Sequence, residues 1–238
     1  MKKYIVYSPH KCGSTIISKI LTDIFNLPEG LEMGQEKTIN NDAGENKLQF
    51  ERMRLDLKKP ANIDFVKDDI IFIPRNPAGI TISMFYSFGY THPCPTHKSK
   101  EQFESTRADI QKAGLVKYIN NNIENQSAKI EKCWNWPMTN KTILPYELMI
   151  SNFNKFLKEL LRALDMMSVY DETLARWESS FAVIEDESDH IVSGESKSHK
   201  RTTDINEWKN KLNNETRTML LEKCPFVQQY DDFLNNLL

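Results

Sequence analysis

Short apolar runs along the chain alternate with longer stretches of helical spacing, a pattern that predicts strands separated by helices. Residues 3–7 (KYIVY) are β-branched and aromatic, 8–13 are polar, and 14–25 (STIISKILTDIF) repeat apolar side chains at helical spacing. That is strand, loop, helix. A second such unit starts at 69–74 (DIIFIP), a continuous apolar run suited to a strand buried on both faces of a parallel sheet. Pro77 at a first helical turn then opens a helix over 77–89. Downstream, 101–124 reads as helix, 141–146 (KTILPY) as another buried strand, 151–164 as an amphipathic helix capped by Ser151, and 205–223 as a last helix. Residues 26–47 collect Gly, Asn, Asp and Pro and predict a long loop, followed by a short strand over 48–55. The stretch 185–204, polar and without apolar period, predicts a mobile loop. The alternation as a whole predicts an α/β fold, with three α/β/α layers around a central parallel sheet.

Composition narrows this picture. At 238 residues the chain suits a single domain, 1–238. Charged residues make up 27% and the formal net charge is -2, which argues against disorder and against a nucleic-acid binder, so any anion site must be local. The apolar run after Met1-Lys2-Lys3 is too short for a signal peptide, and no stretch approaches about twenty apolar residues, so no transmembrane segment is expected and a cytoplasmic protein is. Cys12, Cys94, Cys133 and Cys224 are scattered without CxxC spacing, which predicts reduced thiols.

The sharpest chemistry lies between the first strand and helix, in Pro9-His10-Lys11-Cys12-Gly13-Ser14-Thr15. A loop there aims successive backbone N–H groups at one spot, adds the positive end of a helix dipole, and supplies an ammonium and two hydroxyls. Such a loop holds an oxyanion. Lys11 precedes Gly13, whereas a Walker A sequence puts Lys directly after its second Gly, so a nucleoside-triphosphate kinase is disfavoured. A turn at Gly13 with Ser14 or Thr15 capping the helix is the plainer reading of the same residues.

At these residues the chain resembles the sulfotransferase family, whose phosphosulfate loop reads P-K-x-G-[ST]-[ST]; here a His stands between Pro and Lys. The second unit, Arg75-Asn76-Pro77 through Ser83 and Tyr86, resembles the family's 3′-phosphate segment R-N-P-x-D-x-x-x-S-x-x-Y, with Gly79 in place of the acid. The resemblance implies a P-loop NTPase-like fold and 3′-phosphoadenosine 5′-phosphosulfate as sulfonate donor. Lys11, Cys12, Gly13, Ser14 and Thr15 would wrap its 5′-phosphosulfate, and Arg75 and Ser83 would contact its 3′-phosphate. Pro145-Tyr146-Glu147-Leu148 resembles the Y-E-D-L segment and makes Tyr146 a candidate adenine contact, with a core tyrosine as the alternative. Arg201 to Trp208 has the spacing of the R-K-G-x-x-G-x-W loop that closes over the nucleotide. Thr203 and Asn206 stand where its glycines would be, and Lys200 and Arg201 are candidate phosphate contacts.

Sulfonate transfer needs in-line attack, stabilisation of the leaving phosphate, and a base. Lys11 suits the second task, and the absence of a paired acidic motif predicts no metal. The family's T-H-x-P histidine has no counterpart, because no His lies between His10 and His92. Glu51, Glu32 or Glu36, or His92 in the loop 91–97, are the candidates for the base. A zinc site of His92, Cys94 and His97 is disfavoured by Pro93, Pro95 and the missing fourth ligand. The acceptor is open among sugars, lipids and small alcohols. Two other readings remain: a nucleotide-binding protein of the same fold without catalysis, and a P-loop small-molecule kinase.

Overall fold

The computed structural model describes residues 1–27, 34–51, 63–64, 66–96, 99–181, 188–194 and 203–238. They fall into two compact units, 1–75 with 132–182 and 76–131 with 183–238.

The first unit is built on the apolar runs. β1 (Lys3–Tyr7) carries Tyr4, Ile5 and Val6, all fully buried, and feeds α1 (Ser14–Ile24), whose Ile17, Ile20, Leu21 and Ile24 form its buried face. The expected loop at 26–47 is not a loop throughout. β2 (Glu36–Asn41) and β3 (Gly44–Glu51) form a hairpin across Asp42-Ala43, and Gly44 takes the turn's positive φ of 104°. The Asn, Asp and Gly read as loop signals are the turn of this hairpin, and the strand expected at 48–55 starts earlier. Residues 52–55 lie outside the described residues.

β4 (Asp69–Phe72) follows as expected. In chain order the second unit then contributes α2 (Pro77–Tyr86) and most of α3 (Lys100–Trp134), before β5 (Asn140–Ile143) returns to the first unit. β5 is shorter than the predicted 141–146, because Pro145 starts α4 (Tyr146–Ser151), so Tyr146 opens a helix rather than ending a strand. α5 (Phe153–Ala163) buries Phe153, Phe156, Leu157, Leu160 and Leu161 on one face. Its cap is Asn152 rather than Ser151, its side-chain oxygen accepting the Lys155 N–H at 3.0 Å. α6 (Tyr170–Trp177) completes the helices of this unit.

The sheet order is β2-β3-β1-β4-β5, with β1, β3, β4 and β5 parallel and β2 antiparallel on the edge. The α/β class with a central sheet is therefore observed, the hairpin adding one antiparallel strand. From β1 the chain runs towards β3, and from β4 towards β5 on the other side. The connections thus diverge at β1 and β4, whose carboxyl ends flank the crevice where open α/β sheets bind ligands.

In the second unit, α2 begins with Pro77 at its first turn and Asn76 as N-cap, the Asn76 Oδ1 accepting the Ala78 N–H at 2.9 Å. The predicted helix 77–89 ends at Tyr86 and passes into a π-helical turn, Ser87–Thr91. α3 extends beyond the predicted 101–124 and is broken at Gly114, whose φ of 73° and ψ of 168° are not helical. Within the expected loop 185–204, α7 (Ser188–Ser193) is a short helix; 185–187 and 195–202 lie outside the described residues. The predicted helix 205–223 divides into α8 (Glu207–Lys211) and α9 (Asn214–Lys223), because Asn213 caps a new start by accepting the Thr216 N–H. α10 (Phe226–Leu237), not foreseen, buries Phe226, Val227, Tyr230 and Leu234. The four cysteines are free thiols.

Candidate functional site

The carboxyl ends of three parallel strands of the first unit bring most of the predicted site together. After β1, the Ser8 N–H donates to Glu51 O at 2.9 Å, and the chain tightens into a turn in which the Cys12 N–H donates to Pro9 O at 3.1 Å. The Ser8 hydroxyl closes the same turn on Cys12 O at 3.1 Å. Lys11 and Gly13 both hold left-handed backbone, with φ of 67° and 79°. For a lysine that conformation is strained, and such strain concentrates where a loop is shaped for binding. Gly13 then caps α1, its carbonyl accepting the Ile16 and Ile17 N–H groups at 3.0 Å, which leaves Ser14 and Thr15 at positions whose N–H groups have no acceptor within the helix. Ser14 is buried, Thr15 exposed and Lys11 half-buried.

Arg75 leaves the end of β4 and ties to this loop twice. Its guanidinium Nη1 donates to Lys11 O at 3.2 Å, and its backbone hydrogen-bonds the Cys12 thiol. Burial holds that thiol well above its ordinary range, against the opposing pull of the Arg75 charge. Cys12 is fully buried, so its side chain anchors the loop, and a contact with a ligand there would have to come from its backbone. Tyr146, after β5, has its N–H on Pro74 O at 2.7 Å, and its ring lies under the Arg75 guanidinium, 4.5 Å from centroid to carbon. A Cβ built on Gly13 would stand 3.1 Å from the Tyr146 ring and 2.8 Å from Met149 Cε, so the loop approaches α4 closely in a left-handed conformation that favours glycine.

Glu51 ends β3 opposite Tyr7 of β1, beside the start of the loop, and its carboxylate accepts from Gln49 Nε2. Glu36 lies earlier on the hairpin, its carboxylate 3.1 Å from Lys3 Nζ. Glu32, His97, Lys200 and Arg201 lie outside the described residues.

Ser83 and His92 belong to the second unit. α2 is buried nearly all round, and Ser83 is its one residue that is not. His92 stacks on Phe88 with centroids 5.5 Å apart, and its carbonyl is held by Arg107, which also donates to Phe88 O at 3.4 Å. Arg107 thus ties the π turn at Phe88 to His92, the residue that follows it. Asn206, at one of the two positions where the resembling loop has glycine, has an ordinary φ of -96° and precedes α8, so no glycine is needed there. Trp208 is buried in the second unit.

Sequence reasoning missed Asn76. Besides capping α2, its Nδ2 donates to Asp231 Oδ1 at 2.6 Å, and Lys209 Nζ meets the other carboxylate oxygen at 2.7 Å. The signal was present as Asn before Pro, but its partner more than a hundred residues away was not legible.

No family model matches the chain, and no curated protein matches it in sequence. Among solved structures it is similar to the crystal structure of mouse sulfotransferase SULT7A1 complexed with PAP, at 16% identity and a TM-score of 0.53, over 93% of this chain and 82% of that one. The fold is sulfotransferase-like. At that identity the likeness is one of fold, and the chemistry of a sulfotransferase-like fold here must be argued from its own residues. Among the described residues no group of His, Cys, Asp or Glu is arranged to hold a metal ion, and no helix is long and apolar enough to cross a membrane.

Proposed function

We propose that the protein is a sulfotransferase that moves a sulfonate group from 3′-phosphoadenosine 5′-phosphosulfate to a hydroxyl or amine of an acceptor. The observation that carries this reading is the Arg75–Lys11 link, 3.2 Å from guanidinium to carbonyl, at the point where the sheet's connections diverge. A nucleotide with phosphates at both the 5′ and 3′ positions needs two separate cationic clamps held at a fixed spacing. Lys11 and the α1 terminus form the first and Arg75 the second, with Ser83 as the further 3′-phosphate contact. The left-handed turn at Gly13, where a Cβ would be strained by the backbone conformation and crowd the Tyr146 ring, supports the fit.

The donor supplies an activated sulfur whose bond to the bridging oxygen breaks as the acceptor oxygen or nitrogen bonds to it. In this reading Lys11 neutralises the charge that develops on that leaving oxygen, which allows the reaction to run without a metal. Ser14 and Thr15, at the first turn of α1, orient the 5′ group. We propose Glu51 as the base that takes the acceptor proton, because it ends the strand paired with β1 and stands beside the loop's first residue.

The test is calorimetric titration with 3′-phosphoadenosine 5′-phosphate in the absence of magnesium, beside ATP. Tight binding weakened by Lys11→Ala and by Arg75→Ala, each by about tenfold or more, is the expected result. Preference for magnesium ATP, or no binding, overturns it. With an acceptor in hand, Glu51→Gln should lower kcat by about a hundredfold or more and leave nucleotide affinity unchanged.

A further inference from the structure

The contacts of Tyr146 point to a different task from the adenine contact its sequence segment implies. Its backbone N–H is fixed to Pro74 O at 2.7 Å, one residue before Arg75, and Leu144 N–H is fixed to Phe72 O at 2.9 Å. The β4–β5 ladder is thereby carried on to the point where both chains leave the sheet. With its backbone anchored there, one ring contact faces the guanidinium at 4.5 Å and another faces Gly13, whose added Cβ would lie 3.1 and 3.2 Å from two ring carbons. The ring thus touches both anion-binding elements at once.

We infer that Tyr146 is a positioning residue for Arg75, and through it a determinant of selectivity for nucleotides that carry a 3′-phosphate. This rests on the donor site proposed above. A long arginine side chain loses considerable rotamer freedom when it must present donors in one place. Stacking its planar face on a ring restrains the group without consuming any of its N–H donors, and the ring's negative face favours the cation. The Lys11 carbonyl fixes the in-plane rotation by taking one donor. Arg75 is then preset towards the 3′ position. Substrates that lack the 3′-phosphate gain nothing from Arg75, so Tyr146 contributes to selectivity without touching the ligand.

The experiment compares 3′-phosphoadenosine 5′-phosphate with adenosine 5′-monophosphate, which share adenine, ribose and 5′-phosphate, on wild type, Tyr146→Phe, Tyr146→Leu, Arg75→Gln and the Arg75→Gln/Tyr146→Leu double variant. Wild type should prefer the bisphosphate, and Tyr146→Phe, which keeps a ring, should retain that preference. Tyr146→Leu should reduce the ratio of the two affinities by about tenfold while the monophosphate affinity stays within about threefold. In the Arg75→Gln background the same change should leave the ratio where it is, the signature of two residues acting as one. Should the leucine variant melt below the working temperature, progressively fluorinated phenylalanines at 146 replace it. They keep the ring's shape and weaken its negative face, so the ratio should fall step by step. Equal losses for both nucleotides would make Tyr146 an adenine contact and overturn the inference, as would a ratio unmoved by leucine or by fluorination. Failure of wild type itself to bind the bisphosphate overturns the donor site, and is distinct from either.

Discussion

Gly13 shows most directly how much a single residue carries. It holds a φ of 79°, starts α1, and lets Tyr146 and Met149 approach to distances at which an added methyl group would be crowded. Gly13→Ala should cost about 1–2 kcal/mol for the backbone conformation alone, lower the melting temperature by about 2–8 °C, and weaken binding of 3′-phosphoadenosine 5′-phosphate further than that loss of stability explains. Scanning calorimetry with a nucleotide titration checks both. A variant that binds as wild type does would remove the turn from the anion cradle. Lys11, Gly13 and Arg75 were legible because each residue type has a specific physical use at a loop after a buried strand. Cys12 was legible only as a member of the loop, since its full burial, and the hydrogen bond that ties it to Arg75, depend on partners far along the chain.

Among the elements, the β2–β3 hairpin is where local reading fell short, and its tip is held by contacts distant in sequence. Asn41 Nδ2 donates to Leu164 O at 2.8 Å, the Asp42 N–H donates to Asp165 O at 2.8 Å, and the Asp165 carboxylate accepts from Tyr4 Oη at 2.6 Å and Lys2 Nζ at 3.1 Å. Together they join the start of β1, the hairpin turn and the end of α5. The Tyr4 hydroxyl above all holds the Asp165 carboxyl below its ordinary value of 3.8; burial opposes it, and the Lys2 ammonium adds to the lowering. A depressed carboxyl stabilises the folded state above the unfolded value and loses that contribution as pH falls through the folded value. Asp165→Ala should therefore lower the melting temperature by about 2 °C at neutral pH, a modest figure because the carboxylate is partly exposed. The gap to wild type should close as the pH drops below 3.8. Melting curves across that range check it, and a gap that persists in acid would assign the effect to packing. α2, by contrast, was legible in place and start, because Pro77 and the apolar run announce it; its early end in a π turn was not, since no residue there breaks a helix by itself.

At the scale of the whole molecule, a net charge of -2 requires that the cations of the proposed site work by placement rather than by excess. We propose that 1–238 is one domain although the contacts form two units. The chain passes from one unit to the other at 75–76, at 131–132 within the helical stretch of α3 after Gly114, and at 182–183. Calorimetry should accordingly give one transition. Saturating 3′-phosphoadenosine 5′-phosphate at about a hundredfold over its Kd should add about 2.7 kcal/mol and raise the midpoint by about 5–10 °C. Two transitions, only one of them moved by nucleotide, would separate the units. The sequence by itself determined the strand-loop-helix units, the parallel core of the sheet, and the placing of Lys11 and Arg75 just after buried strands, because apolar period and residue type at a strand end are local properties. Only tertiary structure decided the hairpin, the division of the last helices, the start of a helix at Tyr146, and the guanidinium that lies over the Tyr146 ring while donating to Lys11 O. The hairpin and the guanidinium contact depend on residues far apart in sequence, while the two helix starts are chosen among competing local caps, Asn213 and Pro145, only when the chain packs.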